Sequence, residues 1–273
     1  LKALLLGRKP AASEALRRVV ALGVDVVAVV APLAAAGETL DDPWRPLLSD
    51  TAAELGIQVV RDSDVYADIA RIKSGKRSEI GLEDLDIAVS FLFWNKIKQP
   101  LIEFPKVGCF NFHSAPLPEF RGRRGYNFAI LEGHTSYGAS VHWVTESFDC
   151  GDLVEVRRFP MSDSETALSL EQQTMAVMLD MLDDFLKLVM SGKKIPATPQ
   201  GPGKSATKTE LLAAMAIRPE DDAETIERKV RAFWYPPFTG ATVNLKGGTY
   251  TLVDAEALEK IGRFIHGSSE RSW

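Results

Sequence analysis

Along its first half the chain alternates two hydrophobic periods. Ala3 to Leu6 is a continuous apolar run, the pattern of a strand buried on both faces. From Ala12 to Leu22 apolar residues recur at helical spacing, with Ala15, Leu16, Val19 and Val20 on one face. Val24 to Val30 is a second strand, stopped by Pro32. Trp44 to Leu55 reads as a helix, Gly56 to Val60 as a third strand, and Asp62 to Ile72 as another helix. Asp86 to Phe91 and Val107 to Phe112 are the fourth and fifth strands. Apolar runs separated by helices predict an α/β fold with a parallel, Rossmann-like sheet covered on both faces. Such sheets bind ligands beyond the carboxyl ends of their strands. That places Asn111, His113 and the segment after Val89 on the functional edge.

Further on, Tyr137 to Thr145 and Asp152 to Arg158 read as two strands joined by a turn at Phe148 to Asp152. Ser162, Asp163, Ser164 and Glu165 form a capping-box pattern, which starts a helix running through Leu188 and ending at Gly192. Prolines and glycines then crowd the chain. The expected division is a catalytic core over 1–195, a linker over 196–204 and a small C-terminal α+β domain over 205–273. In that last part, Ala241 to Leu245 and Thr249 to Val253 flank a glycine turn and predict a β-hairpin. Some 70 residues make a thin core by themselves. The tail is therefore expected to dock on the core or on a second subunit, with a homodimer as the expected assembly.

Composition narrows the classes. Apolar residues are 45% and charged residues 25% of 273, which excludes disorder over most of the chain. The charges, 32 Lys+Arg against 37 Asp+Glu, carry no footprint for a bulk polyanion. No nucleic-acid partner is expected. The longest apolar stretch, Val19 to Gly37, is broken by Asp25 and Pro32, so no membrane partner is expected either. The first apolar run is short and followed at once by Arg8 and Lys9, unlike a secretory leader. Two cysteines cannot build a disulfide framework. A cytoplasmic protein is the expectation.

Several cofactor motifs are missing. One glycine, Gly7, follows the first strand where a dinucleotide site needs three. There is no phosphate loop, no His-Glu-x-x-His and no Gly-x-Ser-x-Gly elbow. The four histidines lack metal spacing, so no metal is expected. The informative stretch runs from Asn111 to Gly122. A strand delivers Asn111 and His113 to the same face, and two prolines then end it. Asp149 follows in a tight turn. An amide, an imidazole and a carboxylate suit acyl transfer to an amine: the amide donates to the developing oxyanion, and the imidazole handles a proton. Taken singly, Asn-x-His reads as a turn-capping pair and Asp149 as a turn residue.

Asn111-Phe112-His113-Ser114-Ala115-Pro116-Leu117-Pro118 resembles the Asn-x-His-x-x-x-Leu-Pro signature of the 10-formyltetrahydrofolate-dependent formyltransferases. Gly138 to Val144 and the Asp149-x-Gly151 turn match the same family, and the likeness covers about residues 1–190. The chain departs from the family's usual Ser-Leu-Leu-Pro, reading Ser114-Ala115-Pro116-Leu117-Pro118. The resemblance implies N10-formyltetrahydrofolate as co-substrate and Asn111, His113 and Asp149 as catalytic residues. It implies that the folate lies against Phe91, Phe93, Trp94, Lys96 and Ile97 after the fourth strand, and against the segment from Val144 to Asp149.

The acceptor is read from two further segments. Arg231-Ala232-Phe233-Trp234-Tyr235-Pro236-Pro237-Phe238-Thr239-Gly240-Ala241 resembles a tail segment of sugar N-formyltransferases, and Arg121 to Asn127 resembles their acceptor loop. This implies a sugar nucleotide held by Arg121, Gly122, Arg123, Arg124, Tyr126, Asn127, Trp234 and Tyr235. The expected acceptor is a dTDP-linked 4-amino-4,6-dideoxyhexose destined for surface polysaccharide. Residues 204–273 hold ten Lys+Arg and ten Asp+Glu, poor material for gripping RNA. A methionyl-tRNA or other amine formyltransferase, and a formyltetrahydrofolate hydrolase, are the alternative readings. Arg123 and Arg124 as a solvated loop, and Trp234 and Tyr235 as packing residues, are the structural alternatives.

Overall fold

The computed structural model describes residues 1–33, 46–236, 238–255 and 258–259. In chain order the elements begin with β1 (Lys2–Gly7), α1 (Pro10–Ala21), β2 (Asp25–Val30), α2 (Leu48–Glu54), β3 (Val59–Val60) and α3 (Asp62–Lys73). Next come β4 (Ile87–Phe91), β5 (Gly108–His113), β6 (Arg121–Gly122), α4 (Tyr126–Leu131), β7 (Ser136–Trp143), β8 (Leu153–Pro160) and α5 (Ala167–Met190). The described part closes with β9 (Ser205–Ala206), α6 (Lys208–Met215), α7 (Ala223–Phe233), β10 (Thr242–Leu245) and β11 (Gly248–Thr251).

One sheet carries the strand order β3-β2-β1-β4-β5-β7-β8. It is parallel from β3 to β5, and β7 then joins β5 antiparallel. Alternation along β1 shows why the strands read as unbroken apolar runs. Ala3 and Leu5 belong to one core with the buried stripe of α1, while Leu4 and Leu6 belong to a second with Val65 and Ile69 of α3. Both faces are buried, so neither set of side chains is polar. Each leucine, valine and isoleucine among them contributes about 1.5–3 kcal/mol by leaving water.

Several boundaries differ from expectation, among them β3, which begins at Val59 rather than Gly56. Helix α2 begins at Leu48 rather than Trp44, and residues 44 and 45 lie outside the described residues. Helix α5 begins at Ala167, after the expected box. Thr166 is its cap: Thr166 Oγ1 accepts from the Ser169 backbone N–H at 3.1 Å, and Ser169 Oγ accepts from the Thr166 N–H at 2.9 Å. The tail hairpin pairs as read, Thr242 with Thr251 through Leu245 with Gly248. Helices α6 and α7 are the helical part of that expected α+β tail, at positions not read from the sequence.

The chain forms two compact units. One comprises Leu1–Gly122, Gly138–Phe159 and Gln173–Lys204; the other comprises Arg123–Tyr137, Pro160–Gln172 and Ser205–Trp273. In the first, strand β8 passes close over Gly138 of β7: a Cβ there would lie 2.2 Å from the Arg157 carbonyl oxygen. Gly138→Ala is therefore expected to destabilise by about 3 kcal/mol. Gly201→Ala, which meets nothing within 4 Å, should stay within about 1 kcal/mol of wild type. Urea denaturation of the two variants checks the contrast.

Candidate active site

Strand register builds the site. Ser90 of β4 stands opposite Asn111 of β5, and Asn111 stands opposite His142 of β7. Directly paired residues share a face, so three neighbouring strands present a hydroxyl, an amide and an imidazole in one row. Ser90 Oγ donates to Asn111 Oδ1 at 2.6 Å, which turns the amide nitrogen the other way. Asn111 Nδ2 then lies 3.0 Å from His142 Nε2 and 3.5 Å from Asp149 Oδ1.

The histidine tautomers follow from their carbonyl partners. A carbonyl only accepts, so His142 Nδ1 donates to the Trp143 oxygen at 2.8 Å. The neutral His142 ring thereby offers Nε2 as an acceptor to Asn111. His113 Nε2 donates to the Phe120 oxygen at 2.8 Å. His113 Nδ1 faces Asp149 Oδ1 at 3.6 Å, and His142 Nε2 stands 3.6 Å from the same oxygen. The Phe120 carbonyl, rather than Asp149, thus selects the His113 tautomer. Asp149 acts on both rings through charge. The Phe120 loop is itself tied down by buried Ser140, whose Oγ donates to the Ala115 oxygen and accepts the Leu117 N–H, each at 2.8 Å.

Asp149 sits in left-handed backbone, φ 52°, and its Oδ2 accepts the Gly122 N–H at 2.9 Å. Burial pushes its carboxyl up. The positive charge available on His113, the contact with His142 and the Gly122 N–H outweigh burial and hold it well below the usual carboxylate range. The turn is also closed by Gly151, where a Cβ would lie 1.8 Å from the Trp143 oxygen. Cys109, beneath the site, is buried, and burial pushes its thiol up to about 12. It is no nucleophile at neutral pH.

The expected folate segment divides. Phe91 is fully buried against Phe112, 5.5 Å between ring centroids, so its side chain belongs to the core. Ile97 is also buried, and Val144 and Phe93 are half-buried. Trp94 is exposed beside Phe93, and Lys96 Nζ stands 5.9 Å from the centre of the exposed Phe148 ring. Trp94 and Lys96 are exposed, and so is Phe148, which lies within the expected stretch from Val144 to Asp149.

The expected acceptor residues are placed as follows. In the first unit, Gly122 gives its N–H to Asp149, and Arg121 donates to Gln200 and to the Gly201 carbonyl. In the second unit, Arg123 is exposed, while Arg124 pairs with Glu132 and lies over Phe128. Tyr126 packs on Tyr137, and Asn127 donates to the Ala232 carbonyl. The Trp234 carbonyl accepts from Leu168, and the Tyr235 hydroxyl donates to Glu171. Burial, with Glu171 beside it, pushes the Tyr235 phenol above its usual range. The contribution of His142 to the site was missed. Its signal was a histidine in the stretch Tyr137 to Val144, where Ser140 is the other polar residue.

A mostly parallel sheet with an amide, imidazoles and a carboxylate at its strand ends defines a fold-and-site class suited to acyl transfer without a protein nucleophile. Residues 41–182 match the Formyl transferase family, and the chain belongs to it. A methionyl-tRNA formyltransferase of Listeria monocytogenes is 31% identical over 159 residues, 58% of this chain and 49% of that protein. The chain thus spans about half the length of that relative. The N-formyltransferase of Helicobacter canadensis, solved with folinic acid and dTDP-3-aminofucose, shares the fold at TM-score 0.67 and 17% identity, over 90% of this chain and 85% of that one. A 4-N formyltransferase of Francisella tularensis does so at TM-score 0.72 and 13% identity, over 92% and 96%. Among the described residues no helix is long and apolar enough to cross a membrane.

The charge on Asp149 has a pH signature. Its folded value lies below the ordinary 3.8. Its contribution to stability is complete above that ordinary value and is lost as pH falls through the folded one. Asp149→Asn is expected to narrow its stability gap to wild type on acidification from about pH 5 to about pH 2. Denaturant midpoints across that range provide the check, and a gap that stays constant counts against the assignment.

Proposed function

We propose that this chain moves the formyl group of N10-formyltetrahydrofolate to the amine of a nucleotide-linked amino sugar. The observation that carries the transfer is the meeting of Asn111, His113 and Asp149 at the carboxyl edge of the sheet. Folate supplies the formyl group when bound. Trp94, Lys96 and Phe148, with the backbone from Phe91 to Ile97 and Val144, are the residues we assign to hold it. Asn111 donates to the formyl oxygen as negative charge builds there. The amide hydrogen that reaches Asp149 only at 3.5 Å is the one it can turn to that task. His113 takes the proton of the attacking amine on Nδ1, the nitrogen not engaged by Phe120. Asp149 stabilises the imidazolium across 3.6 Å. One C–N bond forms, the bond to N10 breaks, and the proton lost by the amine is returned to N10.

The acceptor assignment is supported by fold likeness, over 90% of this chain, to the Helicobacter canadensis N-formyltransferase solved with dTDP-3-aminofucose. Exposed Arg123 is the guanidinium we assign to a diphosphate. A methionyl-tRNA acceptor is the second reading, and the Listeria relative favours it.

The test offers N10-formyltetrahydrofolate with a dTDP-linked 4-amino or 3-amino sugar, with charged initiator tRNA, or with no acceptor, and follows the folate product. Turnover with the sugar is expected. Turnover only with tRNA moves the acceptor, and turnover without acceptor makes the chain a hydrolase. His113→Ala should lower kcat about 10²–10⁴-fold while folate binding, followed by calorimetry, persists.

A further inference from the structure

We propose that Gln200, backed by Arg121, is a positioning clamp that holds Asp149 in the conformation the site requires. The inference rests on the formyl-transfer reading for the role of Asp149, but the clamp itself stands on geometry alone. The segment that carries Gln200 runs along the start of β8: Leu153 and Thr198 exchange backbone hydrogen bonds of 2.8 and 2.9 Å. Farther on, Arg121 donates its N–H to the Lys204 oxygen at 2.9 Å. Gln200 is thereby fixed between the Asp149 turn and Arg121.

Its amide bonds in both directions. Arg121 Nε and Nη2 donate to Gln200 Oε1 at 3.2 and 2.8 Å, and Nη2 also reaches the Gly201 oxygen at 2.9 Å. With Oε1 so occupied, the amide nitrogen faces the turn. Nε2 donates to the carbonyl oxygens of Asp149 and Gly151, at 3.1 and 2.6 Å. These bonds hold the backbone on both sides of Cys150. Asp149 needs that support because a non-glycine residue at φ 52° costs of order 1 kcal/mol. Released, its carboxylate would leave the Gly122 N–H and drift from His113 and His142, the titratable groups that face it from β5 and β7. A glutamate at 200 has the same size but no N–H to give, and an arginine beside it keeps it anchored. Gln200→Glu therefore separates donation from packing.

The position of Asp149 is read first, without substrate, by ¹³C-carboxyl NMR titration. In Gln200→Glu and Gln200→Ala the Asp149 titration is expected to move up toward the ordinary carboxylate range, and the Gly122 amide to lose hydrogen-exchange protection. In the active enzyme both variants should lower kcat at least 10-fold, with the KM for each substrate within twofold, and shift the acid limb of the rate profile to higher pH. Arg121→Met should act in the same direction and add little to Gln200→Ala, because both work through one amide. An unchanged Asp149 titration in stably folded variants overturns the clamp, whatever the activity. Wild-type silence toward every acceptor, with the NMR shift present, overturns only the formyl-transfer reading.

Discussion

The site depends on keeping one carboxylate charged where little water reaches it. The Asp149 side chain is only 12% exposed. Such a group persists in ionised form only where donors and positive charge compensate its lost hydration. Here the compensation is assembled from three separate stretches: the Gly122 N–H, the Asn111 amide and His113 ring of β5, and the His142 ring of β7. None of these contacts is a short ion pair. The carboxylate is thus stabilised by several moderate interactions.

The sheet supplies the constancy this arrangement needs. Register fixes Ser90, Asn111 and His142 in one line, since a slip of one residue in any of the three strands would turn its member of the row to the other face of the sheet. The antiparallel entry of β7 matters for the same reason. It brings His142 opposite Asn111 and lets the chain turn immediately afterward to deliver Asp149. Hydrogen-bond direction then propagates along the row. The Ser90 hydroxyl sets the Asn111 amide, the Trp143 carbonyl sets the His142 ring, and the amide nitrogen is left facing the carboxylate.

Two glycines and a loop complete the frame. Gly151 admits the Trp143 carbonyl where no side chain fits, and Gly138 does the same for β8. The Phe120 carbonyl, held through the loop that Ser140 anchors, chooses which His113 nitrogen carries a proton. The chemistry therefore rests heavily on backbone carbonyls, whose positions depend on folding as a whole.

The alternation of apolar runs and helical stripes determined the parallel sheet, because burial on both faces leaves a periodic trace in residue type that local physics alone produces. The pair Asn111 and His113 was legible for the same reason: two residues apart on a strand must share a face. The tail hairpin was legible too, since Lys246 and Gly247 both take positive φ, the geometry of a tight two-residue turn. The cap at Thr166 was not, because two overlapping patterns of similar local strength start there and packing chooses between them. Strand order, the reversal at β7 and the contribution of His142 came only from the tertiary structure. So did the burial of Phe91 and the engagement of Arg121 by Gln200. Each depends on groups that are distant along the chain and become neighbours only when the sheet closes, and residue spacing carries no information about which distant partners will meet.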